Sequence, residues 1–300
     1  MKTFSIMIPC TDRKSIQPSD LLRARNLAPA SVDDLAKVWV NNVESDYKKK
    51  ISESVYNGRS FSEALKAKEK LNANLYIISA GLGLISSDHL IPAYNLTVSR
   101  GSPDCVLSKI SCNQHGPSEW WKALQRYKKN SLSISECLNC SNSDVILLVL
   151  SANYTKLIYS ELVKLKSEAI KKIRIFGFNI EKYLPNCLQE NVLPYDVRFN
   201  GSDSPLRGTQ SDFGSRCLHH FSQCLSKGEI DGTLLSDDKL KVQSIITGWR
   251  YPNKTINEKK SDIEIGEFIL INWTVTMGRK SKMLKLLRSS GFACEQSRFK

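Results

Sequence analysis

Short apolar runs that end abruptly in polar residues predict the strands of this chain. Each run is four to eight residues long, which is typical of a buried strand and too short for a helix. Serine, threonine, asparagine or aspartate follows most of them closely. The predicted strands cover residues 4–8, 75–78, 145–150, 172–178 and 192–199.

Amphipathic and charged stretches between these runs predict helices, at residues 17–58, 61–71 and 156–171, and after the polar turn 205–212. Strands that alternate with helices indicate an α/β fold with a mostly parallel sheet and helices on both of its faces. In such sheets functional groups gather at the carboxyl ends of the strands. The polar loops of this chain lie at those ends.

The character of the sequence changes along its length. We predict an α/β catalytic or nucleic-acid-binding domain at residues 1–225. It includes an irregular Ser-, Cys- and Asn-rich insert at 100–143, which an amphipathic stretch around residues 120–124 interrupts. Residues 226–300 are predicted to form a small basic α+β module that binds DNA. Within that module, 267–275 is expected to be a strand and 282–289 a short amphipathic helix.

The charge of the chain favours one class of binding partner. It carries 43 basic and 30 acidic residues, a formal net charge of +13, and such an excess attracts polyanions, of which nucleic acid is the commonest. No apolar run approaches the ~20 residues that span a bilayer, and the amino terminus does not resemble a signal peptide. We therefore predict DNA as the partner, no membrane association and a cytoplasmic location.

The nine cysteines are an odd number without regular spacing, which favours reduced thiols over structural disulfides. Cys112-x-x-His115 and Cys137-x-x-Cys140 have the spacing of a zinc site, with unpaired thiols as the other interpretation. We predict no metal and no cofactor.

Two stretches resemble a known family. They are Cys10-Thr-x-x-Lys-Ser15 after the first strand, and Leu75-Tyr-Ile-Ile-Ser-Ala-Gly-Leu-Gly-Leu-Ile85 followed by Ile91-Pro-Ala-Tyr-Asn-Leu96. Both resemble the YaaA-type peroxide-stress and DNA-binding domain group over residues 1–100, and in outline to about 220. The resemblance implies DNA binding. One branch of the group is similar to anti-phage DNA glycosylases that excise modified bases and leave abasic sites. The family's aspartate after the tyrosine is replaced here by Asn95.

Glycosidic hydrolysis needs a polar or negative group near the sugar, a positioned water, and donors to the departing base, which is flipped into a pocket. The residues predicted to act on the water or the sugar cation are Asp12, Asn95, Asn153 and Asp212. Those predicted to bind the substrate are Cys10, Thr11, Lys14, Ser79, Gly81, Gly83, Tyr94, Tyr154, Gly208 and Thr209. Other interpretations stay open: Gly81 and Gly83 also suit a tight turn, Asp212 a helix cap and Tyr154 the core.

The predicted function is a DNA glycosylase of phage defence that acts on modified bases in duplex phage DNA, such as glucosylated hydroxymethyl-cytosine. A non-catalytic DNA-binding stress protein of the YaaA kind is the alternative. A transferase or hydrolase acting on a nucleotide or modified RNA is a third.

The C-terminal helix carries the DNA-binding prediction, since a short basic helix capped by Ser281 and ended by Gly291 could lie across phosphates. A solvated helix face is the other interpretation. The residues predicted to contact DNA are Arg279, Lys280, Lys282, Lys285 and Arg288.

Overall fold

The computed structural model describes residues 2–111, 116–128, 133–252, 258–295 and 298–299. Its strands, in chain order, are β1 (Phe4–Pro9), β2 (Lys49–Ile51), β3 (Asn74–Ser79), β4 (Gly83–Ser86), β5 (Leu90–Pro92), β6 (Val145–Val149), β7 (Ile173–Phe176), β8 (Glu258–Lys259) and β9 (Phe292–Ala293).

Five strands form the central sheet in the order β4-β3-β1-β6-β7. The four strands β3, β1, β6 and β7 run parallel, and β4 returns antiparallel along β3. All five residues of β6 are buried, as expected for a strand covered on both faces. The predicted α/β fold with a mostly parallel sheet is confirmed.

The strand order places β1 at a switch point. The chain leaves β1 for β3 on one side and later returns to add β6 on the other. Crevices open at the carboxyl ends of strands where an α/β sheet reverses its order in this way. The fold therefore predicts a cleft above β1 and β6.

The helices of the first 251 residues are α1 (Val32–Ser45), α2 (Ser52–Val55), α3 (Arg59–Leu71), α4 (Pro117–Tyr127), α5 (Ile134–Asn139), α6 (Ala152–Leu157), α7 (Tyr159–Leu162), α8 (Ser167–Lys172), α9 (Asn186–Gln189), α10 (Phe213–Ser226) and α11 (Leu235–Thr247). Helix α1 packs against α4, and α3 packs against α10. The long helices predicted at 17–58 and 156–171 are wrong, because shorter helices and turns replace them. The strand predicted at 192–199 is also wrong: Val192 makes a single bridge to β7, and a 3₁₀ turn follows at Val197–Asn200.

The predicted irregular insert at 100–143 is wrong for the part that the structure describes. Helix α4 carries Trp120 and Trp121, both fully buried. The Trp120 indole donates to the Ala80 carbonyl at 2.8 Å. Large aromatic side chains thus anchor this stretch to the core beside β3.

The chain divides into two compact units, Met1–Tyr251 and Pro252–Lys300, so the division lies later than the predicted boundary at 225. The reason is α11, whose buried Asp238 accepts from Arg174 of β7 at 2.6 Å. Both side chains are 1% exposed. A buried ion pair of this kind attaches α11 to the sheet.

The second unit contains α12 (Asp262–Ile271), α13 (Trp273–Thr276) and α14 (Lys280–Ser289), with β8 paired to β9. The strand predicted at 267–275 is wrong. Ser261 and Glu264 form a reciprocal capping box that starts α12. Apolar residues lie on every side of α12, so the sequence shows no helical period there. The helix predicted at 282–289 is confirmed.

Among the residues that the structure describes, none belongs to a helix long and apolar enough to cross a bilayer.

Candidate active-site cleft

A cleft of about 710 Å³ opens at the carboxyl ends of β1, β6 and β7. Its walls are the loops that follow these strands and the first residues of α3 and α10. The hydroxyls of Ser60 and Ser215, at the two helix starts, lie 2.8 Å apart. Further down the same pair of helices, Glu63 and His219 hydrogen-bond at 2.5 Å. These contacts hold the two helix N-termini side by side at the cleft.

The loop after β1 forms one wall, with Cys10, Thr11, Asp12 and Arg13. The Thr11 hydroxyl donates to the carbonyl of Asn57 at 2.9 Å and to that of Arg13 at 3.1 Å. These bonds fix the loop, and the Asp12 side chain stands exposed within it. The cleft therefore presents a solvated carboxylate on a rigid loop.

The start of α10 forms the opposite wall, with Thr209 and Asp212. The Asp212 carboxylate is 6% exposed and accepts from the Thr209 amide at 2.8 Å and from Arg216 at 2.6 Å. Gly208 packs on the same group: a Cβ there would lie 2.3 Å from the Arg216 guanidinium. Asp212 thus lines the cleft while its charge is engaged by a buried arginine.

Aromatic rings stand on two sides of the cleft. Tyr154 follows β6, and its hydroxyl lies 3.0 Å from the Cys10 sulfur. Burial raises the pKa of Tyr154 well above its ordinary value, so the phenol is neutral. Phe178 follows β7 and packs edge-on against Phe213 with ring centroids 5.2 Å apart. Tyr154 and Phe178 are half-buried, so part of each ring faces solvent.

Two arginines that the sequence did not single out also line the cleft, Arg13 and Arg59. The Arg59 guanidinium donates to the Arg207 carbonyl and lies 3.7 Å from Asp212 and 3.9 Å from Glu63. Phe178 was missed as well. Partial signals were present in the sequence: Phe178 ends the predicted strand 172–178, and Arg59 follows Gly58 just before the predicted helix 61–71.

The segment after β3 lies in the core and does not line this cleft. The Ser79 and Tyr94 side chains are fully buried, and their hydroxyls lie 2.6 Å apart. Ser79 also accepts from the Leu82 amide at 2.8 Å, and Tyr94 pairs with the Tyr56 hydroxyl at 2.9 Å. The expectation that Tyr94 stacks on a base is corrected, because this ring has no exposed surface.

The two glycines of that segment, Gly81 and Gly83, have structural roles. A Cβ on Gly81 would lie 2.9 Å from the Tyr94 ring, and the Gly81 carbonyl accepts from the Trp39 indole at 2.7 Å. Gly83 adopts φ +72° at the turn into β4, next to the Gln125 amide. The tight-turn interpretation fits both better than an approach to a ligand.

Lys14 and the two candidate asparagines also lie outside the cleft lining. The Lys14 ammonium sits 4.4 Å from the centre of the Tyr94 ring, and burial lowers the pKa of this lysine. The Asn95 backbone bonds to Leu22 and Ala24 at 2.7 and 2.8 Å. Asn153 donates to the Ser99 hydroxyl at 3.1 Å. Of the four predicted catalytic residues, two line the cleft, Asp12 and Asp212.

The residues with the spacing of a zinc site are partly described. Cys137 is half-buried and Cys140 exposed, whereas Cys112 and His115 lie outside the described residues. Within the portion of the chain with described positions, His, Cys, Asp and Glu form no group of three that could hold a metal ion.

All five predicted DNA-contacting side chains of the second unit are exposed. Arg279 occupies the N-cap position of α14 without a side-chain capping bond, and Ser281 lies within the helix, so the predicted Ser281 cap is corrected. Arg288 donates to the Cys294 carbonyl at 2.9 and 3.2 Å.

No model of a known protein family matches this sequence, and a search of curated proteins finds no match. The resemblance to the YaaA-type group stays a prediction.

Proposed function

We propose that the cleft binds one nucleotide of DNA and hydrolyses its N-glycosidic bond. The observation that carries this proposal is the exposed Asp12 carboxylate, held on a rigid loop in a cleft that also has aromatic and cationic walls. The combination matches the three parts of a nucleotide, which are sugar, base and phosphate.

Asp12 acts at the sugar. Cleavage of the bond between C1′ and the base nitrogen leaves an oxocarbenium-like sugar, and a nearby carboxylate stabilises this cation. Water adds its oxygen to C1′, and its proton leaves through Asp12 or solvent while the base departs with the bond electrons. The hydroxyls of Thr209 and Ser211 line the facing wall 2.9 Å apart, so one donates to the other and the second donates to the departing base.

The aromatic walls receive the base. The half-buried rings of Tyr154 and Phe178 offer apolar surface to a nucleobase turned out of the duplex, as enzymes that act on bases require. A volume of about 710 Å³ lies within the range of small-ligand pockets and accommodates a base enlarged by modification.

The phosphates of the bound DNA contact the positively charged side of the cleft. Arg13 and Arg59 line the cleft, and the N-termini of α3 and α10, with 13 and 14 residues, add the favourable end of two helix dipoles. The net charge of +13 favours capture of a long polyanion such as DNA over a neutral metabolite.

The biological setting that we propose is excision of modified bases from duplex phage DNA in the cytoplasm, as antiviral defence. A cleft with a solvated carboxylate favours an enzyme over the non-catalytic DNA-binding alternative, for which a flat cationic surface would suffice.

The test uses genomic DNA of phages with and without modified bases. After incubation with the protein, alkali should break the modified DNA at abasic sites and leave plain DNA intact. If both DNAs bind and neither is broken, the protein is a DNA-binding protein without this activity.

A further inference from the structure

The last two helices of the second unit are joined by a tight turn. Three residues, Met277, Gly278 and Arg279, separate α13 from α14, and the first two have φ of +54° and +63°. A Cβ on Gly278 would lie 2.9 Å from the Trp273 ring of α13. Helix α13 has four residues, about one turn, so the ten-residue α14 is the longer helix of this pair.

The second helix of this pair has one buried face and one free face. Met283, Leu284 and Leu287 of α14 are buried in the unit's own core. Lys282 and Lys285 are exposed, and at a spacing of three they share one face of the helix. Because the core fixes the buried face, the orientation of the lysines is fixed with it.

We propose that α14 is a recognition helix that enters the major groove of duplex DNA, where Lys282 and Lys285 contact guanine edges. Ten residues give a helix about 15 Å long, and the groove, about 12 Å wide, admits one helix. Lysine donates to guanine O6 and N7, the acceptors exposed in that groove. Arg279 and Lys280, at the helix start, contact the adjacent phosphates.

This inference shares with the proposed function only the choice of DNA as partner, since α14 would bind whether or not the cleft removes a base. It adds that the nucleic acid is a DNA duplex rather than an RNA duplex. The deep, narrow major groove of an RNA duplex does not admit side chains for readout, so a recognition helix separates DNA from RNA. A solvated charge patch would bind both through their phosphates.

The first experiment measures fluorescence anisotropy of the full chain with a DNA duplex and with an RNA duplex of the same sequence. The Asp12→Asn variant is used throughout, so that chemistry cannot alter the DNA. We expect at least roughly tenfold tighter binding to DNA. Equal affinity for the two duplexes overturns the proposal.

The second experiment compares Lys282→Ala and Lys285→Ala with Lys37→Ala, an exposed helical lysine of the first unit. We expect each α14 variant to lose roughly tenfold in DNA affinity and the control to lose little. A loss no larger than that of Lys37→Ala overturns the assignment. Circular dichroism and thermal unfolding of each variant check that α14 is still folded.

A third measurement needs no variant. Methyl green occupies the major groove and netropsin the minor groove. Methyl green should displace the protein at concentrations where netropsin does not, and the reverse order contradicts the proposal. Base release is assayed separately, so a chain that binds in the major groove without cleaving bases refutes the proposed chemistry and leaves this inference standing.

Discussion

The segments that follow two neighbouring strands, β1 and β3, differ in location: the first lines the cleft and the second lies in the core. The strands are paired in parallel, with Ile8 beside Ile77, so their carboxyl ends meet at the same edge of the sheet. After β1 the chain leaves the sheet and borders the cleft. After β3 it turns within three residues into the antiparallel β4 and stays in the core.

The expectation that functional groups gather at the carboxyl ends of strands is therefore incomplete. A polar residue at a strand end reaches a ligand only if the next element does not fold back over it. Ser79 and Tyr94 satisfy each other's hydrogen bonds inside the core, whereas Asp12 points its carboxylate into solvent. We therefore expect changes after β1 to affect activity, and changes after β3 to affect stability.

The largest effect is expected from Asp12→Asn. Loss of the negative charge removes stabilisation of the sugar cation, and the rate of base release should fall at least about a hundredfold. The free energy of unfolding should stay within about 0.5 kcal/mol of the parent, because the side chain is exposed. Single-turnover alkali assays and urea titrations measure the two quantities. An unchanged rate would remove Asp12 from the mechanism.

Asp212→Ala should destabilise the fold. Arg216 is fully buried, and removal of Asp212 leaves its charge without a carboxylate partner. A broken buried pair of this kind costs about 3–5 kcal/mol. The midpoint of urea unfolding reports the loss. A variant as stable as the parent would show that this carboxylate is free to serve chemistry instead.

Gly81→Ala should cost less, about 1–3 kcal/mol, because the added methyl meets the Tyr94 and Trp39 rings. Gly248→Ala is the matched control: among the described residues, no atom beyond its chain neighbours lies within 4 Å of a Cβ there, and its φ is −79°. The control should be neutral or slightly stabilising. If Gly81→Ala instead lowered activity at unchanged stability, the segment after β3 would belong to the site.

The smallest effect is expected from Tyr94→Phe. The change removes a hydroxyl that lies 2.6 Å from Ser79 and 2.9 Å from Tyr56, and leaves the ring in place. A loss of about 1 kcal/mol in unfolding free energy follows, measured by thermal or urea unfolding. Base release per folded molecule should be unchanged, since this hydroxyl is buried away from solvent.

The sequence predicted the sheet well because its apolar runs are buried on both faces and end sharply, as at β1 and β6. It failed where pattern and structure diverge. The run at 267–275 forms helices, although its apolar residues show no helical period.

The cleft lining was predicted in part. The predicted residues that line it are Cys10, Thr11, Asp12, Tyr154, Thr209 and Asp212, at strand ends and a helix start. Ser79, Tyr94 and Asn95 could not be excluded from sequence, because only the register of β3 with β4 shows that the chain folds back there. Arg59 enters the cleft through the packing of α3 on α10, a contact between distant parts of the chain.

The most direct test of the proposed chemistry is mass spectrometry of the small molecules released from modified phage DNA by the wild-type protein. We predict that an intact modified base appears in solution while the DNA strand stays unbroken until alkali is added. DNA that is bound tightly but releases no free base, or that releases nucleotides instead, would contradict glycosidic hydrolysis in this cleft.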